Sequence, residues 1–154
     1  MAARIDILSV GALHRHFEPV ARHYTDLLRP FASVTSREVK EVPLRGRSPV
    51  EVLRDEGRRL LAAWPPTPVV VALAIDGRAQ TTAEFTAWLQ QCLERGGVGF
   101  VIGGSLGLSE DVLARADDRL SLSPLTLPHK LARVVLLEQL FRAGKILRGE
   151  AYHH

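Results

Sequence analysis

The sequence predicts an α/β domain with a mostly parallel sheet flanked by helices, on three observations. Strand-like and helix-like segments alternate along the chain, the pattern of helices laid over a parallel sheet. Two strand-like runs, residues 69–75 (VVVALAI) and 97–102 (GVGFVI), are almost wholly apolar, as strands covered on both faces are. The 154 residues show no internal repeat, low-complexity tract or linker, so one domain over residues 1–154 is expected.

Each element has its own signal. RIDILSV, residues 4–10, alternates apolar and polar groups and reads as a strand closed by Gly11. Residues 17–28 carry Phe17, Val20, Ala21, Tyr24, Leu27 and Leu28 at helical spacing, and Pro30 stops that helix. Residues 32–42 are rich in β-branched groups and read as a second strand. PLRGRSP, residues 43–49, is a basic loop. Ser48 then serves as N-cap and Pro49 as first residue of a helix reaching Trp64. After the strand at 69–75, Asp76-Gly77 reads as a turn. Thr81 and Glu84 form a capping box for a helix through Arg95. The strand at 97–102 ends in Gly103-Gly104, Ser109 caps a short helix to about Ala116, and residues 120–122 read as a last short strand. The final helix starts near Pro128 and runs to Leu147.

Composition narrows the function classes. Hydrophobic residues make up 46% and charged residues 24%, which is ordinary for a globular protein. The net charge of +3 permits a phosphate-bearing partner without requiring one. Cys92 is the only cysteine, so neither an intrachain disulfide nor a cysteine-based metal site can form. It sits in a helical pattern as a small apolar group. His14 and His16 have no third ligand beside them, and no metal site is expected. No secretory leader pattern and no apolar run near 18 residues is present, so a cytoplasmic protein without a membrane span is expected.

Three stretches fall at the carboxyl ends of strand-like segments, where such sheets bind ligands: residues 73–77, 102–107 and 122–128. Gly103, Gly104 and Gly107 allow backbone to approach a ligand, but GGxxG is neither a dinucleotide fingerprint nor a phosphate loop. The stretch LSLSPLTLPHK, residues 120–130, is apolar yet broken by serines, Thr126, Pro124 and Pro128. It reads as a buried, proline-stiffened loop whose backbone groups need partners. His129, at a helix start, is expected to be neutral near pH 7 because the helix dipole disfavours its cation. The last helix carries more apolar positions than one stripe needs, which suggests a second buried face against another subunit. Glu138 within that face calls for a partner at Arg142.

Together these residues resemble the ribosomal RNA large-subunit methyltransferase H family of the SPOUT superfamily. The matching features are the strand ending at Leu73, IGG and GLS within 102–109, LSLSPLTLPH at 120–129, and E-x-x-FRA-x-x-I-x-x-GEAYH from Glu138. The resemblance covers essentially the whole chain. It implies an α/β trefoil knot, a homodimer, and S-adenosylmethionine held in the knot. It implies methylation of N3 of a pseudouridine in 23S ribosomal RNA, on the assembled ribosome. The cofactor-binding positions it implies are Leu73, Gly103, Gly104, Leu122, Ser123, Pro124, Leu125, Thr126 and Leu127. His129, Glu138, Arg142, Tyr152 and His153 match positions near methyl transfer, with His129 as proton acceptor. Arg45, Arg47, Lys130, Arg133 and Arg142 are expected to meet phosphates. Two departures stand out: Ala74 follows Leu73 where members often carry Asp, and His154 closes the tail where a fixed cation is common. The rival readings are a SPOUT enzyme acting on transfer RNA and a dimer that binds a nucleotide-like ligand without turnover.

Overall fold

Five strands form one sheet in the order β2-β1-β4-β3-β5, every neighbouring pair parallel, in a computed structural model that describes residues 3–152. The strands are β1 (Arg4–Val10), β2 (Ser33–Val39), β3 (Val69–Ala79), β4 (Gly97–Ile102) and β5 (Asp118–Ser121). The helices are α1 (Glu18–Leu28), α2 (Pro49–Ala62), α3 (Thr82–Glu94), α4 (Glu110–Arg115) and α5 (His129–Leu147).

Both sheet faces are covered. Ile5, Ile7, Phe100 and Ile102 pack with α1, α3 and α5, whereas Leu8, Val10, Val70 and Val101 pack with α2 and α4. The alternation in β1 therefore does not mark a solvent face. Asp6 and Ser9 are also buried, and Arg4 Nε reaches Asp6 at 2.7 Å. Ser48, Thr81 and Ser109 all cap their helices by side-chain hydrogen bonds, Thr81 in a complete capping box with Glu84. Local polar groups at helix starts were thus read correctly, because a cap acts within a few residues.

Three expectations change. Asp76-Gly77 does not end β3. The strand bulges out after Leu73 and rejoins β5 at Arg78 and Ala79. Gly77 permits this, because a Cβ there would lie 2.7 Å from the Leu120 carbonyl carbon. The expected burial of residues 120–130 also fails: Pro124, Leu125, Thr126 and Pro128 are exposed, Leu125 at 76%. Hydroxyls partly replace burial there. Ser121 Oγ donates to the Ser123 carbonyl at 3.0 Å, and the Leu125 amide donates to Ser123 Oγ at 2.9 Å.

The third change concerns α5. Its surplus apolar positions are covered within the chain, by α1 on one side and α3 on the other. Leu136, Leu137, Leu140 and Ala143 are almost fully buried in this way. The helix also passes so close to Phe31 that a Cβ on Gly144 would meet the ring at 2.8 Å. Apolar surplus on α5 is therefore no argument for a second subunit. Arg133, on the same helix, is 7% exposed and its Nη1 donates to Glu38 at 2.6 Å. It is a buried tie between α5 and β2, and it is not free to meet phosphate.

Candidate functional site

Because all five strands run parallel, their carboxyl ends share one edge of the sheet. Three segments leaving that edge enclose a cavity of about 150 Å³. The β3 bulge contributes Leu73, Ala74 and Ile75; the turn after β4 contributes Ile102, Gly103, Gly104 and Gly107; the chain after β5 contributes Leu122, Ser123, Leu125 and Leu127. It adjoins an outer cleft of about 480 Å³ that shares Leu73, Gly104, Leu127 and His129.

The glycine turn is close-fitting by geometry. A Cβ on Gly103 would lie 2.3 Å from the Gly107 carbonyl oxygen, and the Gly107 amide donates to the Gly104 carbonyl at 3.1 Å. The turn is then pinned by Ser109, which approaches α2 where Gly57 leaves room. Opposite it stand two exposed apolar groups, Ile75 at 62% and Leu125 at 76%. These apolar side chains, beside backbone and the Ser121 and Ser123 hydroxyls that also line the cavity, suit a ligand with an apolar ring and hydroxyl groups.

His129 is the first residue of α5 and lines both spaces. Its Nε2 is buried and has no hydrogen-bond partner among the described residues. Burial, with Lys130 beside it, holds its pKa below the usual histidine value. This direction agrees with the expected neutral imidazole, but its main cause is desolvation rather than the helix dipole.

Of the residues expected to hold a cofactor, Leu73, Gly103, Gly104, Leu122, Ser123, Leu125 and Leu127 line the cavity, while Pro124 and Thr126 point the chain around it without lining it. Sequence reasoning passed over Ile75 and Ala132, which also line it. Ile75 falls within the strand-end stretch 73–77, but in sequence it reads as the last residue of a buried apolar run. Asp76 does not take the place of an aspartate at position 74. It lies in the outer cleft and accepts from Arg119 Nη1 at 3.0 Å.

The other residues assigned to methyl transfer assemble elsewhere. Arg142 donates from Nε and Nη2 to Glu138 Oε1 at 2.9 and 2.6 Å, and Gln139 donates to Glu138 Oε2 at 2.8 Å. The Arg142 guanidinium lies 4.5 Å from the Tyr152 ring centroid, and its Nη1 donates to the Tyr152 carbonyl at 3.3 Å. Tyr152 packs edge-on against Phe141 at 5.0 Å. A groove between α3 and α5 opens at Arg142 and Tyr152. His153 lies outside the described residues. His129 and Arg142 are thirteen positions apart on one helix, which is about 20 Å at 1.5 Å per residue. A single chain does not bring the two groups together.

Comparisons with known proteins agree with this fold. Residues 3–153 match the family described as predicted SPOUT methyltransferase. The chain is 43% identical over 155 residues to the ribosomal RNA large subunit methyltransferase H of Nitratidesulfovibrio vulgaris, covering 96% of each chain. It is 44% identical over 156 residues to the protein of that name from Listeria welshimeri, covering 97% of this chain and 98% of the relative. Among solved structures it is similar to a probable methyltransferase from Bordetella pertussis Tohama I, with TM-score 0.57 and 16% identity, covering 92% of this chain and 96% of that one. It is also similar to a probable methylase family protein from Haemophilus influenzae Rd KW20, with TM-score 0.58 and 13% identity, covering 98% of this chain and 70% of that one.

Proposed function

The chain belongs to the SPOUT methyltransferase family, and we propose that it is an S-adenosylmethionine-dependent enzyme that methylates N3 of a pseudouridine in 23S ribosomal RNA on the assembled ribosome. One observation carries the reading. The cavity at the carboxyl edge of the sheet is built from the segments that the resemblance assigns to the cofactor, and His129, whose buried Nε2 has no hydrogen-bond partner among the described residues, is part of its lining. The naming of relatives above 40% identity as ribosomal RNA large subunit methyltransferase H directs the proposal to ribosomal rather than transfer RNA.

The residues fit the cofactor. Ile75 and Leu125 offer apolar faces for an adenine, Ser123 offers a hydroxyl, and Gly103 and Gly104 let backbone close on the ligand. When bound there, S-adenosylmethionine supplies an activated methyl group. As N3 of the base gains that methyl it must lose its proton, and the neutral His129 imidazole is the acceptor. Such proton transfer contributes typically about 10²–10⁴-fold. Arg142, oriented by Glu138, and Tyr152 hold the base, with His153 beside them in the tail. The proposed enzyme carries the family's trefoil knot within one domain.

The enzyme works as a homodimer, because the proposed base-holding group lies about 20 Å along α5 from His129. In the dimer the groove at Arg142 and Tyr152 of one copy meets the cavity of the other. No helix among the described residues is long and apolar enough to cross a membrane, and the proposed substrate places the enzyme in the cytoplasm. Incubating the protein with labelled methyl donor and large-subunit particles, then mapping the label, tests the proposal. Label at N3 of one pseudouridine is expected. Label found only on transfer RNA, or on nothing, would overturn it.

A further inference from the structure

Seven of the twenty lysines and arginines lie between Arg37 and Arg59. Arg37, Lys40, Arg45, Arg47 and Arg54 are exposed and belong to no ion pair among the described residues. Of the five acids in this stretch, Glu38 is engaged by Arg133 at 2.6 Å, Asp55 by Arg58 at 3.4 Å, and Glu56 is 4% exposed, which leaves exposed Glu41 and Glu51 against five cations. The densest part of this patch, residues 40–47, follows the carboxyl end of β2 and so stands on the same edge as the cavity.

The segment is anchored. Arg59 Nη1 donates to the Lys40 carbonyl at 2.6 Å, and the Arg47 amide donates to the Leu44 carbonyl at 2.9 Å. The buried Val42 amide donates to Glu56 Oε2 at 3.0 Å. Glu56 Oε1 in turn lies where a Cβ on Gly104 would come within 3.2 Å. One buried carboxylate thus abuts both the cationic segment and the wall of the cavity, which fixes the distance between them.

We infer that residues 40–47 are a docking surface for RNA phosphates, held in register with the cavity by Glu56. The inference rests on the RNA reading above. Guanidinium groups match phosphate oxygens in geometry as well as charge, and phosphate contacts set the position of a nucleic acid without reading its sequence.

The test compares wild type, a Lys40→Ala/Arg45→Ala/Arg47→Ala variant and Arg95→Ala. Arg95 is an exposed, unpaired cation among the described residues that precedes β4 at the opposite edge of the sheet. Binding to large-subunit particles is measured across salt concentrations, alongside methyl-transfer kinetics and calorimetric binding of S-adenosylhomocysteine. In the triple variant, log affinity against log salt should flatten by about two, at roughly 0.7–0.9 per lost phosphate contact. KM for particles should rise about tenfold or more while saturated kcat stays within about twofold. Homocysteine-product binding should not change, and Arg95→Ala should behave as wild type. An unchanged slope and KM in the triple variant overturns the inference while leaving the methylation reading intact. If wild type methylates no particle, that reading fails instead, and the salt slopes still decide the docking surface.

Discussion

Subunits carrying His129→Ala and subunits carrying Arg142→Ala should each be inactive as homodimers, yet regain activity when mixed and allowed to exchange. The reason is the spacing on α5, where about 20 Å separates the two residues along the axis. In the proposed dimer a productive site takes His129 from one copy and Arg142 from the other. Random exchange of equal amounts gives half heterodimers, and each heterodimer has one site with both native residues and one with neither. About a quarter of the wild-type sites are restored, provided the interface is symmetric. The assay is methyl incorporation into large-subunit particles before and after exchange, with light scattering to confirm the dimer. Arg142→Ala also frees Glu138, which is half-buried and loses both hydrogen bonds from that guanidinium. Arg142→Gln, which retains bulk, is therefore run in parallel. Activity that stays at zero after proven exchange, or a monomer that is fully active, refutes the division of the site.

Other outcomes follow from single groups. His129→Ala should lower kcat about 10²–10⁴-fold with S-adenosylhomocysteine affinity unchanged; a wild-type rate removes His129 as proton acceptor. Because burial lowers its pKa, the acid limb of kcat should fall below the ordinary histidine value of about 6.5, and a limb above that value contradicts the assignment. Gly103→Ala places a Cβ 2.3 Å from the Gly107 carbonyl oxygen, so S-adenosylhomocysteine affinity measured by calorimetry should drop at least about tenfold. Burial raises the pKa of Glu56, so its folded form favours the proton and the carboxylate loses stability as pH rises through that raised value. Glu56→Gln should therefore raise the melting temperature at pH 8 and give no gain at pH 4, as followed by calorimetry. Thr81→Ala removes the capping box of α3; a loss of about 1 kcal/mol corresponds to roughly 2–4 °C in a chain of this size.

Much of the fold was legible because its signals are local. The caps at Ser48, Thr81 and Ser109 and the apolar runs of β3 and β4 each act over a few residues, and each appears where the sequence puts it. What was misread depends on contacts distant in sequence. Asp76-Gly77 has the composition of a turn, yet the chain continues as strand because β5 lies against the side of Gly77 that lacks a Cβ. Arg133 looked like a phosphate ligand, but Glu38, ninety-five positions away, holds it in the interior. The apolar surplus of α5 looked like an interface until α1 and α3 filled both sides. The separation of His129 from Arg142 was available all along. Both lie on one helix, and helical rise alone keeps them apart.

The departure at Ala74 sharpens how the two ligands are told apart. Among the described residues no Asp, Glu, Lys or Arg lines the cavity, and its one titratable group, His129, has its pKa lowered by burial. Asp76 stays in the outer cleft with Arg119. A cofactor in that cavity is met by backbone, serine hydroxyls and apolar side chains, whose contacts salt screens little. The rim at residues 40–47 is the reverse, with Lys40, Arg45 and Arg47 exposed against one exposed acid, Glu41. Phosphate contacts there release counterions and weaken steeply with salt. Raising salt from 50 to 200 mM should therefore leave S-adenosylhomocysteine affinity within about twofold while particle affinity falls about tenfold or more, at two to three phosphate contacts. A cofactor affinity that falls in parallel with particle affinity would mean that a charged group outside the cavity lining holds the ligand, and the fit argued from Ile75, Leu125 and Ser123 would not stand.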